Sequence, residues 1–133
     1  GVPSVLLLFG NGLTIGAASA LFVSKGLNLE YHGWLFIHGT TELLALVLCG
    51  GAGLAIGGAA IFPGRKTRLD SLAQQGKKSA VIVLGAIALL LIAGLLEGFG
   101  RQLITTTLDR YLIGGAALAL WLAYFTTFGK KAN

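Results

Sequence analysis

Charged side chains are scarce in this sequence: 11% of its 133 residues are Asp, Glu, Lys or Arg, against about 25% in a soluble domain. That shortage excludes an ordinary water-soluble fold. Methionine is missing altogether and the chain opens Gly1-Val2-Pro3, so we expect a native start that lies upstream or was removed by processing. Cysteine occurs once, at Cys49 inside an apolar run, which excludes an internal disulfide and leaves the redox compartment unread. No basic residue precedes the first apolar run, and three more such runs follow it. This opening does not fit a cleaved signal peptide and reads as a span.

What the chain has instead is hydrophobicity, with 55% apolar residues and a mean hydropathy of +0.82. Four runs are long enough to cross a bilayer, about 5–23, 35–62, 79–99 and 111–128. The expected fold is all-α, a polytopic membrane protein whose four-helix transmembrane bundle forms a single domain over residues 1–133, with no room for a soluble catalytic domain. Lys25-Gly26, Pro63-Gly64 and Gly129-Lys130 close the first, second and last runs. The second run is long: its 28 residues would reach roughly 42 Å against a hydrocarbon core of roughly 30 Å, so it must tilt, bend or project.

Net charge is +5, yet the basic residues sit in short clusters between apolar runs. There they act as orientation signals and speak against nucleic acid as a partner. The 63–78 connection carries Arg65, Lys66, Arg68, Lys77 and Lys78 and the tail Lys130 and Lys131, whereas the opposite side holds Lys25, Arg101 and Arg110. Seven against three places the loop and both termini in the cytoplasm of a multi-pass cell-membrane protein. Within the loop, Leu69, Leu72 and Ala73 have helical spacing, consistent with a short interfacial helix or with a solvated basic loop.

Glycine is abundant, 21 residues, many of them inside the spans. Small residues let helix backbones approach in lipid, and Gly12/Gly16, Gly53/Gly57 and Gly94/Gly98 each form a small-xxx-small pair. A tight bundle is expected, with Gly53 and Gly94 at contacts.

Ionisable groups in hydrocarbon need a partner or a purpose, and His38, Glu42 and Glu97 stand out. His38 and Glu42 are four apart on one helix face, and Glu97 reaches the same membrane side near the end of the third span. One imidazole and two carboxylates form a ligand set for a divalent metal ion, zinc foremost, with His32 as a candidate fourth ligand. The same three groups would equally serve as a hydrogen-bonded lock between helices, with Arg101 neutralising a carboxylate, or as a proton or ion path. Asn11 reads as an interhelical hydrogen-bond donor, and His32, beside Tyr31 and Trp34, as a solvated member of an interfacial belt.

The run His38-Gly39-Thr40-Thr41-Glu42-Leu43, then Gly50-Gly51-Ala52-Gly53-Leu54 and Gly57, then Pro63-Gly64-Arg65, and finally Gly94-Leu95-Leu96-Glu97-Gly98-Phe99, resembles the stage II sporulation protein M family. The likeness covers the second and third spans by motif and the other two by topology. It implies an additional amino-terminal span that is absent here, and an asparagine-glycine pair where this chain has Lys25-Gly26. It also implies a membrane scaffold that holds peptidoglycan-degrading enzymes. Three function classes follow: a scaffold for membrane or cell-wall-remodelling proteins, a zinc-site protein or metal-dependent enzyme, and a transporter or channel subunit that would need a homo-oligomer. The enzyme reading lacks a His-Glu-x-x-His element to supply a general base, so the scaffold leads.

Overall fold

The computed structural model describes residues 1–128, apart from the side chains of Arg101 and Phe128. Four helices account for nearly all of this length: α1 (Val2–Ser24), α2 (Asn28–Ile61), α3 (Arg68–Leu103) and α4 (Thr107–Phe128). No strand occurs among the described residues. The all-α expectation holds. The Gly129-Lys130 stop and the basic tail lie outside the described residues.

The helix ends follow local chemistry. Gly26 adopts a positive φ of 73°, with Leu27 N–H donating to Phe22 C=O at 2.9 Å and Gly26 N–H to Val23 C=O at 3.0 Å. These are the two bonds of a Schellman cap, and they turn the chain from α1 into α2 within three residues. α2 stops one residue before Phe62-Pro63, and Gly64 takes φ 65° in the turn that follows. α3 and α4 open on the same device. Thr67 accepts the Asp70 N–H at 3.1 Å and donates to its carboxylate at 2.5 Å, and Thr106 and Asp109 repeat that exchange. Each hydroxyl satisfies a backbone donor that the first helical turn leaves unpaired.

Two of the helices are longer than the apolar runs. α2 begins at Asn28 rather than at Leu35, and α3 at Arg68 rather than at Ser79. The residues expected to form a separate interfacial helix are therefore the opening turns of α3, because nothing between Leu72 and Ser79 breaks helical geometry. α3 has 36 residues and reaches about 54 Å. α1, α2 and the 68–100 stretch of α3 are long and apolar enough to cross a membrane among the described residues.

The chain divides into two compact units, one of Gly1–Ala18 with Leu43–Leu90 and one of Ser19–Glu42 with Leu91 onward. In the first unit α1 runs antiparallel to α2, with Leu8 against Gly50 and Ser4 against Gly53. Its buried positions are Ala45, Gly50, Ala52, Ala86 and Ser79, and the Ser79 hydroxyl donates to the Ala52 carbonyl at 3.4 Å. In the second unit α4 runs parallel to α2: Gly33 faces Thr107 and Tyr111, Gly114 faces Phe36, and Thr41 faces Trp121. Gly100 of α3 meets Ile37 there.

Large apolar side chains such as Leu6, Phe9, Val81, Leu91 and Leu120 point outward, while the buried positions are mostly alanine and glycine. That inversion suits a lipid solvent, where leucine gains nothing from burial and small residues allow close packing. Only one of the three glycine pairs lies at contacts: a Cβ at Gly53 would overlap the Ser4 hydroxyl and one at Gly57 would meet Gly1, whereas Gly12, Gly16, Gly94 and Gly98 face open space. Gly94 thus departs from expectation. The tightest approach to another backbone is elsewhere, at Gly114, where a Cβ would run into the Phe36 carbonyl oxygen and lie 2.8 Å from its carbon.

A backbone carbonyl cannot rotate aside as a side chain can. Gly114→Ala should lower the stability of the detergent-solubilised protein by about 1–3 kcal/mol through overpacking. Gly94→Ala should leave it unchanged or raise it by up to about 1 kcal/mol through helix propensity. Thermal unfolding of the two variants checks the contrast, and equal melting points would show that Gly114 is not at a backbone contact.

Candidate functional site

The first half of α2 carries the buried polar side chains of the second unit, His38 and Thr41. Ile37, His38 and Thr41 are buried, and their spacing puts them on one side of the helix. His38 is 3% exposed. Its Nε2 lies 3.9 Å from Glu42 Oε2, too far for a hydrogen bond and an ion pair only when the imidazole is protonated. Its Nδ1 has no partner among the described residues, and the ring packs edge-to-face on Trp34 with centroids 5.1 Å apart. Thr40 Oγ1 is likewise buried without a partner.

Thr41 is the satisfied member of the group. Trp121 of α4 donates its indole N–H to Thr41 Oγ1 at 3.0 Å, so a bond between residues 80 apart fixes the register of α4 on α2. Two further bonds hold the same pair of helices and the turn before α4: Tyr111 OH donates to Leu29 C=O at 3.3 Å, and Arg110 Nε to Ile104 C=O at 3.1 Å. Sequence reasoning passed over Thr41 and Trp121, since neither ionises and both fit an apolar helix. Their only sequence signal is that a buried indole requires an acceptor.

The other expected residues behave differently. Glu42 directs its side chain outward, with 52% of it exposed. Glu97 is half-buried on α3 with no hydrogen-bond or ion-pair partner among the described residues. The Arg101 side chain, its expected neutraliser, lies outside the described residues. No group of three His, Cys, Asp or Glu side chains among the described residues is placed to hold a metal ion. His38 and Glu42 thus adjoin on one helix, but Glu97 does not join them in a three-ligand zinc centre. The i, i+4 spacing makes His38 and Glu42 neighbours but leaves the Glu42 side chain turned outward, and the rotation of α3 against α2, which no spacing within a helix fixes, decides whether Glu97 reaches them. His32 is engaged with its own helix, Nδ1 lying 2.9 Å from Asn28 O. Asn11, expected to bond between helices, instead donates to Leu7 C=O of α1 at 2.9 Å.

A double-mutant cycle on Thr41→Val and Trp121→Phe measures the bond that holds this site together. The coupling expected is about 0.6 kcal/mol and at most about 1.7 kcal/mol, the range for side-chain bonds between transmembrane helices. A coupling of zero would show that the indole does not depend on Thr41. Glu97→Gln, which disturbs no contact of the described chain, should melt with the parent.

The family model of stage II sporulation protein M matches residues 1–100. The match reaches α1 as well as α2 and nearly all of α3, taking in His38, Glu42 and Glu97 and ending before α4. No curated protein and no solved structure matches the chain. With three quarters of its length inside one family model, and with membrane-length helices carrying the motif residues, the chain belongs to the stage II sporulation protein M family.

Proposed function

We propose that this protein is an integral membrane scaffold that organises partner proteins, cell-wall-remodelling enzymes among them. The observation that carries the reading is the state of its two intramembrane carboxylates. Glu42 sits well inside α2 and turns outward, and Glu97 has no partner among the described residues. A charged side chain at the centre of a membrane helix costs about 2.5–3.5 kcal/mol, and even a protonated carboxyl needs hydrogen-bond partners in hydrocarbon. A polar group on a neighbouring membrane protein offsets that cost. Carboxylates with no hydrogen-bond partner among the described residues, on an otherwise lipid-facing exterior, are therefore attachment points.

The fourth apolar run belongs to the same proposal. α4 lies parallel to α2 over its first half, so a chain in which α2 crosses outside-to-inside brings α4 across in the same sense. Four crossings put both termini and the basic opening of α3 in the cytoplasm, in keeping with the lysine and arginine count. That opening, about three helical turns bearing Arg68, Lys77 and Lys78, continues a membrane-spanning helix without a break. It offers cytoplasmic partners a rigid arm.

Two measurements test this. In the Cys49→Ser background, Thr105→Cys should react with a membrane-impermeant maleimide in intact cells and Gln75→Cys only after permeabilisation; the reverse pattern would overturn the orientation. Deleting the gene should disperse a fluorescent peptidoglycan hydrolase from its membrane position. Wild-type protein should restore it and Glu42→Leu, folded to parental stability, should not. Unaltered hydrolase position in the deletion strain would falsify the scaffold reading.

A further inference from the structure

The second unit contains a cleft of about 620 Å³ lined by Phe22, Leu27, Glu30, Tyr31, Trp34 and Arg110. Its size falls within the roughly 300–1,000 Å³ of small-molecule sites. It lies where α1 turns into α2 and where α4 begins, at the end of the helices where aromatic side chains meet lipid headgroups. Neither the packing of the helices nor the buried face of α2 accounts for it.

Its charges are the informative feature. Glu30 and Arg110 line the same cleft, yet they form no ion pair with each other among the described residues; the one contact of that kind is His38 with Glu42. The Arg110 guanidinium spends its Nε on the Ile104 carbonyl, which orients the group and leaves the two terminal nitrogens uncommitted among the described residues. An anion and a cation that line one aromatic-walled cleft without pairing match a ligand carrying both charges. Phosphate suits the arginine fork, and an ammonium suits the carboxylate.

We infer that the cleft binds the phosphoethanolamine headgroup of a membrane phospholipid, with phosphate on Arg110 and the primary ammonium on Glu30. The aromatic walls select the primary amine over a quaternary one. Phe22 and Tyr31 are stacked on each other with centroids 4.3 Å apart and rings 7° from parallel, and Trp34 takes the edge contact of His38. A quaternary ammonium, which has no N–H, needs several open ring faces around it, and here two rings cover each other. A primary ammonium instead donates hydrogen bonds to the Glu30 carboxylate. An anionic phospholipid without an amine satisfies Arg110 but meets repulsion from Glu30. The glycerol and first methylenes lie along Leu27 and the Trp34 ring, which tethers the headgroup to the bilayer.

The test uses the full chain in nanodiscs of equimolar phosphatidylethanolamine, phosphatidylcholine and phosphatidylglycerol, released and read by native mass spectrometry. The parent should retain phosphatidylethanolamine over both others. Glu30→Gln should cut that preference about tenfold while leaving the melting point near the parent's, since Glu30 makes no hydrogen bond or ion pair among the described residues. Arg110→Lys, which keeps the charge but loses the fork, should weaken retention of phosphatidylethanolamine and phosphatidylglycerol together. Soluble phosphoethanolamine at millimolar concentration should not displace the lipid. The inference is overturned by equal retention of the three lipids, by an undiminished preference in Glu30→Gln, or by soluble phosphoethanolamine binding as tightly as the lipid, which would make the free compound the ligand.

Discussion

Close approach of helix backbones is the constraint on which the rest of this structure depends. In water, helices are pressed together because burying leucine and phenylalanine removes apolar surface from solvent. In a bilayer that force is absent, since lipid tails receive the same side chains equally well. Contact must come from shape, and shape is best where side chains are smallest. Gly114 against the Phe36 carbonyl and Gly53 against Ser4 are such places, and the buried alanines 45, 52, 86 and 93 continue the pattern. Once those backbones meet, the outward course of the leucines follows, and so does the burial of the few polar groups that lie on the contact faces.

The helices and their ends were legible in the sequence because both are local properties. An apolar run of membrane length is helical whatever its neighbours, since backbone N–H and C=O groups have no other partner in hydrocarbon. Lys25-Gly26 and Pro63-Gly64 stop helices through their own dihedral angles. The starts at Asn28 and Arg68 were less legible, because helices do not end where hydrophobicity does: the Thr67–Asp70 cap sets the start of α3, not the first apolar residue. Which glycines touch another helix was not legible at all. Gly53 and Gly94 have the same spacing signature, and only the azimuth of each helix separates a contact from an open face.

The same division runs through the candidate site. The adjacency of His38 and Glu42 follows from helical periodicity, so sequence alone supplies it. Whether Glu97 of α3 joins them depends on the rotation of one helix against another, about which the spacing of residues within each helix is silent. Trp121 and Thr41, 80 residues apart, pair for the same kind of reason. Chemistry-first reasoning therefore favoured groups with conspicuous side chains and missed the hydroxyl and the indole that hold the helices together.

The polar groups of the second unit thus separate by what they do for the fold. Thr41, Trp121, Tyr111 and Arg110 each satisfy a donor or acceptor that would otherwise be stranded, and they contribute to packing in proportion. Glu97 and Glu30 form no hydrogen bond or ion pair among the described residues, and the nitrogens of His38 and the carboxylate of Glu42 meet only each other, 3.9 Å apart on one helix. Among the described residues, replacing Glu97 or Glu30 by an apolar residue would lose no hydrogen bond or ion pair, while sparing the cost of a polar group at low dielectric. Folding alone therefore does not account for them. Their placement fits the two proposals made above, carboxylates along the helices facing membrane partners and a cleft at the helix ends facing headgroups. The fold-holding bonds keep these positions fixed, because the Trp121–Thr41 and Tyr111–Leu29 bonds set the height of α4 against α2 and so the depth of Arg110 relative to Glu30.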